Sequence, residues 1–190
     1  MCAVCLRSRR AESTFSDKEA IEVPMSKGCA LILALGCMAC ATSFKDGVFR
    51  KAAVAYRVGA PNETQWQPVR LRHNDLAWTA RSSLHLLASN AVCEENTAAS
   101  LKVLTRHLLM GFTDTVQLSE TKRILDGREA LHTVWTGKFN GVPVELELVV
   151  LKKNGCIHDF TYVSPLRGRA MHRASFQALV QSFRQQERNE

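Results

Sequence analysis

Cys156 and His158 stand two positions apart, so on a strand both point to one face, a thiol beside an imidazole. With His85 or His132 arriving from neighbouring strands, that pair would suit a thiol-dependent catalyst or a metal ion. No Cys-x-x-Cys or His-x-x-x-His spacing accompanies it, and scattered surface groups account better for the six histidines. Cys2-x-x-Cys5 is half a zinc site with no second pair at usable spacing, so no metal ligand is assigned. Ser164, Ser175, His172 and Asp159 supply the types that hydrolysis needs, yet no Gly-x-Ser-x-Gly elbow presents a nucleophile. Glu145 and Glu147 could mimic two catalytic carboxylates; alternation along a strand predicts instead a solvent-facing pair with nothing nearby to raise a pKa. There is neither a phosphate loop nor a G-x-G-x-x-G, and Arg167-Gly168-Arg169 reads as a basic turn. The sequence thus assigns no catalytic residue, no metal and no cofactor, and the expected mode of action is binding.

The elements that would carry these residues are clearest after position 100. Leu101, Leu104, Leu108 and Phe112 form one helical stripe with Leu109 beside it, Ser100 or Thr97 can cap the first turn, and Lys102, Thr105 and Arg106 look outward. Gly111 and Thr113/Asp114 end that helix. Asp126-Gly127, Asn140-Gly141 and Asn154-Gly155 then recur at equal spacing. Both central residues of a type I′ turn need positive φ, which these types accept, so four hairpin-linked strands follow: TKRIL, REALHTVWTGKF, VPVELELVVLKK and CIHDFTYVSP. In the third, Val144, Leu146, Leu148 and Val150 face one way and the two glutamates the other. Phe176, Leu179, Val180 and Phe183 predict a closing amphipathic helix from about Arg173 to Gln186.

Earlier in the chain, Val54, Tyr56 and Val58 alternate as a strand within Val48 to Val58. Val69 and Leu71 oppose Arg70 and Arg72 in a hairpin that continues through LAWTA, and SSLHLLASNAV is a further strand. Strands, a helix, a four-strand meander and a helix make an α+β fold, an antiparallel sheet with helices packed on it.

A chain of 190 residues, 46% hydrophobic and 23% charged, is enough for one domain with a real core. Its net charge of +7 is dispersed through Arg7 to Arg10, Arg70/Arg72, Lys152/Lys153 and Arg167/Arg169/Arg173, with acidic residues between. No nucleic-acid-binding signature joins it, so it reads as a solvated surface and no nucleic-acid partner is expected.

Gly28 to Gly36 is an uncharged, mostly apolar run behind Lys27, too short for the roughly 20 residues of a membrane span. With Met25 as the start, a basic end, an apolar core and a small residue before a cysteine resemble a bacterial lipoprotein signal. The resemblance implies acylation of Cys37, after Gly36, or of Cys40, after Ala39. Leu35 and Ala34 depart from the small residue and Leu that the family prefers. Residues 1–24 have no apolar period and read as a mis-annotated or disordered leader. The chain then divides into that leader, a signal peptide over 25–36, a tether over 37–47 and a single domain over 48–190. Two or more acyl chains suffice for stable anchoring. Neither Met38 nor Ala41 is the Asp that retains such proteins at the inner membrane, which leaves the outer membrane, facing the periplasm, as the default. Export would bring Cys93 and Cys156, each at a strand end, into an oxidising compartment. A disulfide between them would close a long loop and contribute about 4 kcal/mol; two buried thiols are the alternative.

The order of elements resembles the PsbP-like α/β/α sandwich, and LKVLTRHLLMGF with the meander is similar to uncharacterised lipoproteins of delta-type proteobacteria, over roughly residues 66 to 185. Members differ in role, so the resemblance brings no activity with it. It implies a lipid-anchored envelope module that binds another envelope protein, with its basic surface free to touch anionic head groups. Its competitors are a small hydrolase or thiol-dependent enzyme, and a carrier holding an apolar ligand between sheet and helix.

Overall fold

The computed structural model describes residues 42–186 apart from 53 and 94–97. The expected leader and signal peptide and both candidate acylation sites, Cys37 and Cys40, lie outside the described residues. Strands β1 (Ser43–Lys45), β2 (Val48–Lys51) and β3 (Val54–Arg57) come first. The tether expected up to residue 47 therefore gives way to a strand. Phe44 sits edge-on to Trp78 at 6.1 Å and pairs with Phe49, and Asp46-Gly47 reverses the chain with φ of 52° and 73°. The single element expected over Val48 to Val58 is two strands, because Ala52 reverses the chain at a φ of 46°.

Next come β4 (Trp66–Pro68), β5 (Leu76–Ala80) and β6 (Leu86–Cys93). The hairpin expected through Val69 and Leu71 is shorter than that: the Val69 N–H still donates to the Ala77 carbonyl at 2.9 Å, but β4 ends at Pro68 and Leu71 is exposed. Helix α1 (Leu101–His107) is capped by the Ser100 hydroxyl, which accepts the Val103 N–H at 3.4 Å, and it ends well short of Phe112. Thr105, expected to face outward, is buried. Its hydroxyl donates to the Leu101 carbonyl at 2.9 Å, so no polar group is stranded beneath the helix.

The meander follows the turn dipeptides. β8 (Arg128–Phe139), β9 (Val142–Lys153) and β10 (Cys156–Pro165) have the expected bounds, and all six turn residues have positive φ. The strand before them, β7, spans Phe112–Leu125 rather than TKRIL alone. Its side chains are mostly exposed on both faces, so no apolar alternation marked its first half. After a short 3-10 turn, Arg169–Met171, comes α2 (Arg173–Gln181), which stops before Gln186 because Arg184–Gln185 leaves as β11 to pair with β3.

The large sheet runs β4-β5-β6-β10-β9-β8-β7 and the small one β1-β2-β3-β11, both with antiparallel pairing throughout. The α+β class is as expected, with shorter helices. Leu109, Trp135, Val144, Leu146 and Leu148 fill the layer beside α1. On the other face, Phe160 and Tyr162 of β10 meet Phe176 of α2, Phe183 after it, and Phe49 and Tyr56 of the small sheet. Burying each such ring contributes about 1.5–3 kcal/mol, so this layer dominates the stability.

Candidate functional site

Two regions combine function-bearing side chains with unusual surroundings. The first lies on the α2 side of β7, β8 and β9. Glu147 is not the solvent-facing residue expected, being 1% exposed, because Arg169 and the start of α2 fold over that face. His132 Nε2 donates to Glu147 Oε1 at 2.7 Å, Arg173 Nε reaches both carboxylate oxygens at 3.4 and 3.3 Å, and Arg169 Nη1 lies 3.5 Å from Oε2. Burial pushes the Glu147 carboxyl up, but the His132 hydrogen bond and the Arg173 and Arg169 charges outweigh it and hold the group below the usual range. Glu145 accepts the Arg169 backbone N–H at 3.4 Å.

With Nε2 carrying a proton, His132 Nδ1 is an acceptor. It takes the Arg123 guanidinium, and the Thr121 hydroxyl lies 3.4 Å away. Thr121, His132 and Glu147 resemble a hydroxyl–imidazole–carboxylate relay in outline. The guanidinium occupies the lone pair that would have to remove the hydroxyl proton, so the relay has no free base.

The second region is a groove of about 560 Å³ between the β1–β2 hairpin and the β4–β5 edge, walled by Phe44, Phe49, Leu71, Leu76 and Trp78 with Arg70 at its rim. A second hollow of about 350 Å³ shares Phe44, Pro68 and Trp78 and reaches Trp66 and Arg81. Asp75 supports it: Oδ2 accepts the Ala91 N–H at 2.8 Å and the Tyr56 hydroxyl at 3.4 Å, and Lys51 Nζ lies 3.4 Å from Oδ1. Burial raises the Asp75 carboxyl, with the Ala91 amide and Lys51 opposing it. Behind it, burial carries Asp159 up to about 7 against the Asn90 hydrogen bond, with the Asp75 charge adding to the rise.

The residues singled out in the sequence are dispersed. Cys156 lies directly opposite Cys93 across β6 and β10, Cα atoms 4.0 Å apart, and their sulfurs are bonded. His158 faces Gln185 Oε1 at 3.2 Å, and burial lowers its pKa to about 4. His132 belongs to the Glu147 cluster. His85 donates through Nε2 to the Gly168 carbonyl at 3.1 Å. Ser83 bridges His85 and His172, Ser175 accepts from Trp66 Nε1 at 3.3 Å, and Ser164 is buried without a partner among the described residues. Cys156, Ser164 and Ser175 have no base beside them, whereas the Ser83 hydroxyl lies 2.8 Å from His85 Nδ1 with no carboxylate behind that ring. No metal-holding group of His, Cys, Asp or Glu occurs among the described residues. The groove escaped sequence reading because it joins residues 42–49 to 68–78, two segments with no shared motif.

Solved structures resemble this arrangement. A protein of unknown function from Pseudomonas aeruginosa matches with a TM-score of 0.51 and 10% identity, over 74% of this chain and 97% of that one. Cyanobacterial PsbP from Synechocystis sp. PCC 6803 matches at 0.51 and 12%, over 69% and 86%. The fold is PsbP-like. LpqN, involved in cell envelope biogenesis of Mycobacterium tuberculosis, matches at 0.54 and 8%, over 68% and 83%. At such identities the likeness is one of fold alone. No family model and no curated protein matches the chain. Among the described residues, no helix is long and apolar enough to cross a membrane.

Proposed function

We propose that this chain is a cell-envelope protein held to a membrane by acyl chains on Cys37, or on Cys40, and that it acts by binding another envelope protein. The observation that carries the binding reading is the aromatic groove. Phe44 and Leu71 offer exposed apolar walls over the buried Phe49 and Trp78, Arg70 adds charge at the rim, and a site of this make-up takes an apolar segment with a polar anchor. Thr42 lines the groove, so a tether from Cys37 would bring it close to the anchored end. The envelope role of LpqN, a protein of like fold, agrees with that address.

Catalysis is the weaker reading for two reasons. Cys156 is 4% exposed and bonded to Cys93, so it offers no thiolate, and the Thr121 relay has its base occupied by Arg123. Mass spectrometry of the amino-terminal peptide from membrane fractions tests the address. The expected result is a diacylglyceryl-modified Cys37 or Cys40 at the mature amino terminus; an unmodified chain freely dissolved in the cell overturns it. Crosslinking in envelope preparations tests the groove: a Trp78→Ala chain should lose a crosslinked protein that the unaltered chain captures. Lipid copurifying in place of protein would make the groove a carrier, and turnover abolished by Cys156→Ser would make the protein an enzyme.

A further inference from the structure

The two edges of the large sheet are built differently. β4 has three residues, ends at Pro68 and presents little ladder to a neighbour. β7 runs through fourteen residues without a proline, and its outer backbone groups face no strand among the described residues. Two irregularities, at Thr113/Val116 and Gln117/Ser119, disturb its first half. From Ser119 to Leu125 it pairs residue for residue with β8, so the outer edge is regular there as well. This stretch also displays apolar surface at Ile124, which is 74% exposed, and Leu118 in the irregularity before it is 54% exposed.

We infer that β7 is a docking edge for a second copy of this chain, pairing antiparallel with its own counterpart about a two-fold axis at Thr121. The side-chain order carries the inference. With Thr121 opposite Thr121, Glu120 falls opposite the partner's Lys122 within the regular stretch, and the symmetry repeats the pair. Antiparallel pairing keeps outward-facing amides opposite one another, so a two-fold axis must pass through a residue position. Moving it by one residue sets Glu120 on Glu120 or Lys122 on Lys122, and moving it to Arg123 opposes two guanidiniums. Ser119 as the axis would put the Gln117/Ser119 irregularity at the centre. The edge therefore favours one register and penalises its neighbours, as specific pairing requires. The ion pairs that Glu120 and Lys122 make within the chain, to Lys102 at 2.8 Å and to Glu129 at 3.1 Å, are exposed and weak enough to be shared or exchanged.

Charge exchange tests the register without disturbing the core. Sedimentation equilibrium of the full-length chain in mild detergent, at tens of micromolar, should give a protein mass about twice that of one chain. Glu120→Lys alone and Lys122→Glu alone each place like charges in contact and should return the mass to that of one chain. The double exchange restores opposite charges and should restore the doubled mass. A chain monomeric throughout this range overturns the inference. So does a dimer indifferent to both single exchanges, or one not recovered by the double exchange.

Discussion

One face of the large sheet holds two kinds of interior side by side. Beneath α2, Phe160, Tyr162, Phe176 and Phe183 make a layer of rings, with Phe160 and Phe183 centred 5.4 Å apart. Toward β7 the same face carries Glu147, His132 and three arginines. The rings stabilise by leaving water, an effect that needs area and little geometry. The charges lose hydration when buried and recover it only if each partner is in place, so that flank specifies an arrangement more than it adds stability. Their order on the sheet follows from cover, because α2 closes over the centre while the arginines reach the flank with their heads still partly in water.

The comparison breaks most visibly at the rings. Phe183→Ala should lower the unfolding free energy by about 4 kcal/mol in urea titration, since Phe183 meets Tyr56, His158 and Phe160 at once. Opening the Cys93–Cys156 link, which spans 63 residues, should cost about 4 kcal/mol when melts with and without reductant are compared. Glu147→Gln keeps the shape but leaves two guanidiniums without their counter-charge, and about 2 kcal/mol is expected. A loss equal to that of Phe183→Ala would mean that the flank bears as much of the fold as the rings. Smaller still, Asn154→Ala should cost about 1 kcal/mol, because alanine tolerates the φ of 49° poorly.

Acidity separates two neighbours on β10. The Asp159 pKa is raised in the folded state to about 7 from 3.8, so the native state binds the extra proton and stability falls as pH rises from about 4 to about 7. The His158 pKa is lowered to about 4 from 6.5, so the native state binds fewer protons and stability falls in the other direction, as pH drops through 6.5 toward 4. Asp159→Asn should remove the first slope and leave the second. Urea titrations across that window should show the variant gaining on the parent as pH rises; a constant difference would put the Asp159 carboxyl in an ordinary environment.

The meander was legible because Asp126-Gly127, Asn140-Gly141 and Asn154-Gly155 encode reversals locally, whatever packs around them. The equivalent signal at Asp46-Gly47 stood beside a stretch read as a tether, so the strand it serves was passed over. Glu147 shows a deeper limit. Alternation tells which face a residue is on, and it does not tell what covers that face. His132, Arg123, Arg169 and Arg173 come from four further elements, and nothing in the VELEL stretch announces them. Edge strand β7 shows the reverse: without a covered face it needs no apolar period, so only TKRIL of its length carries a strand signal.

The two-residue strand β11 joins regions from distant parts of the polypeptide. It hydrogen-bonds to β3, the Gln185 backbone N–H reaches Asp126 at 2.9 Å, and the Gln185 side chain meets His158 and Cys156. The small sheet, whose first three strands lie within residues 43–57, therefore stays incomplete until residues 184 and 185 have emerged. Such late closure slows the final step of assembly, and it leaves the early hairpin open to handling by chaperones in the interval.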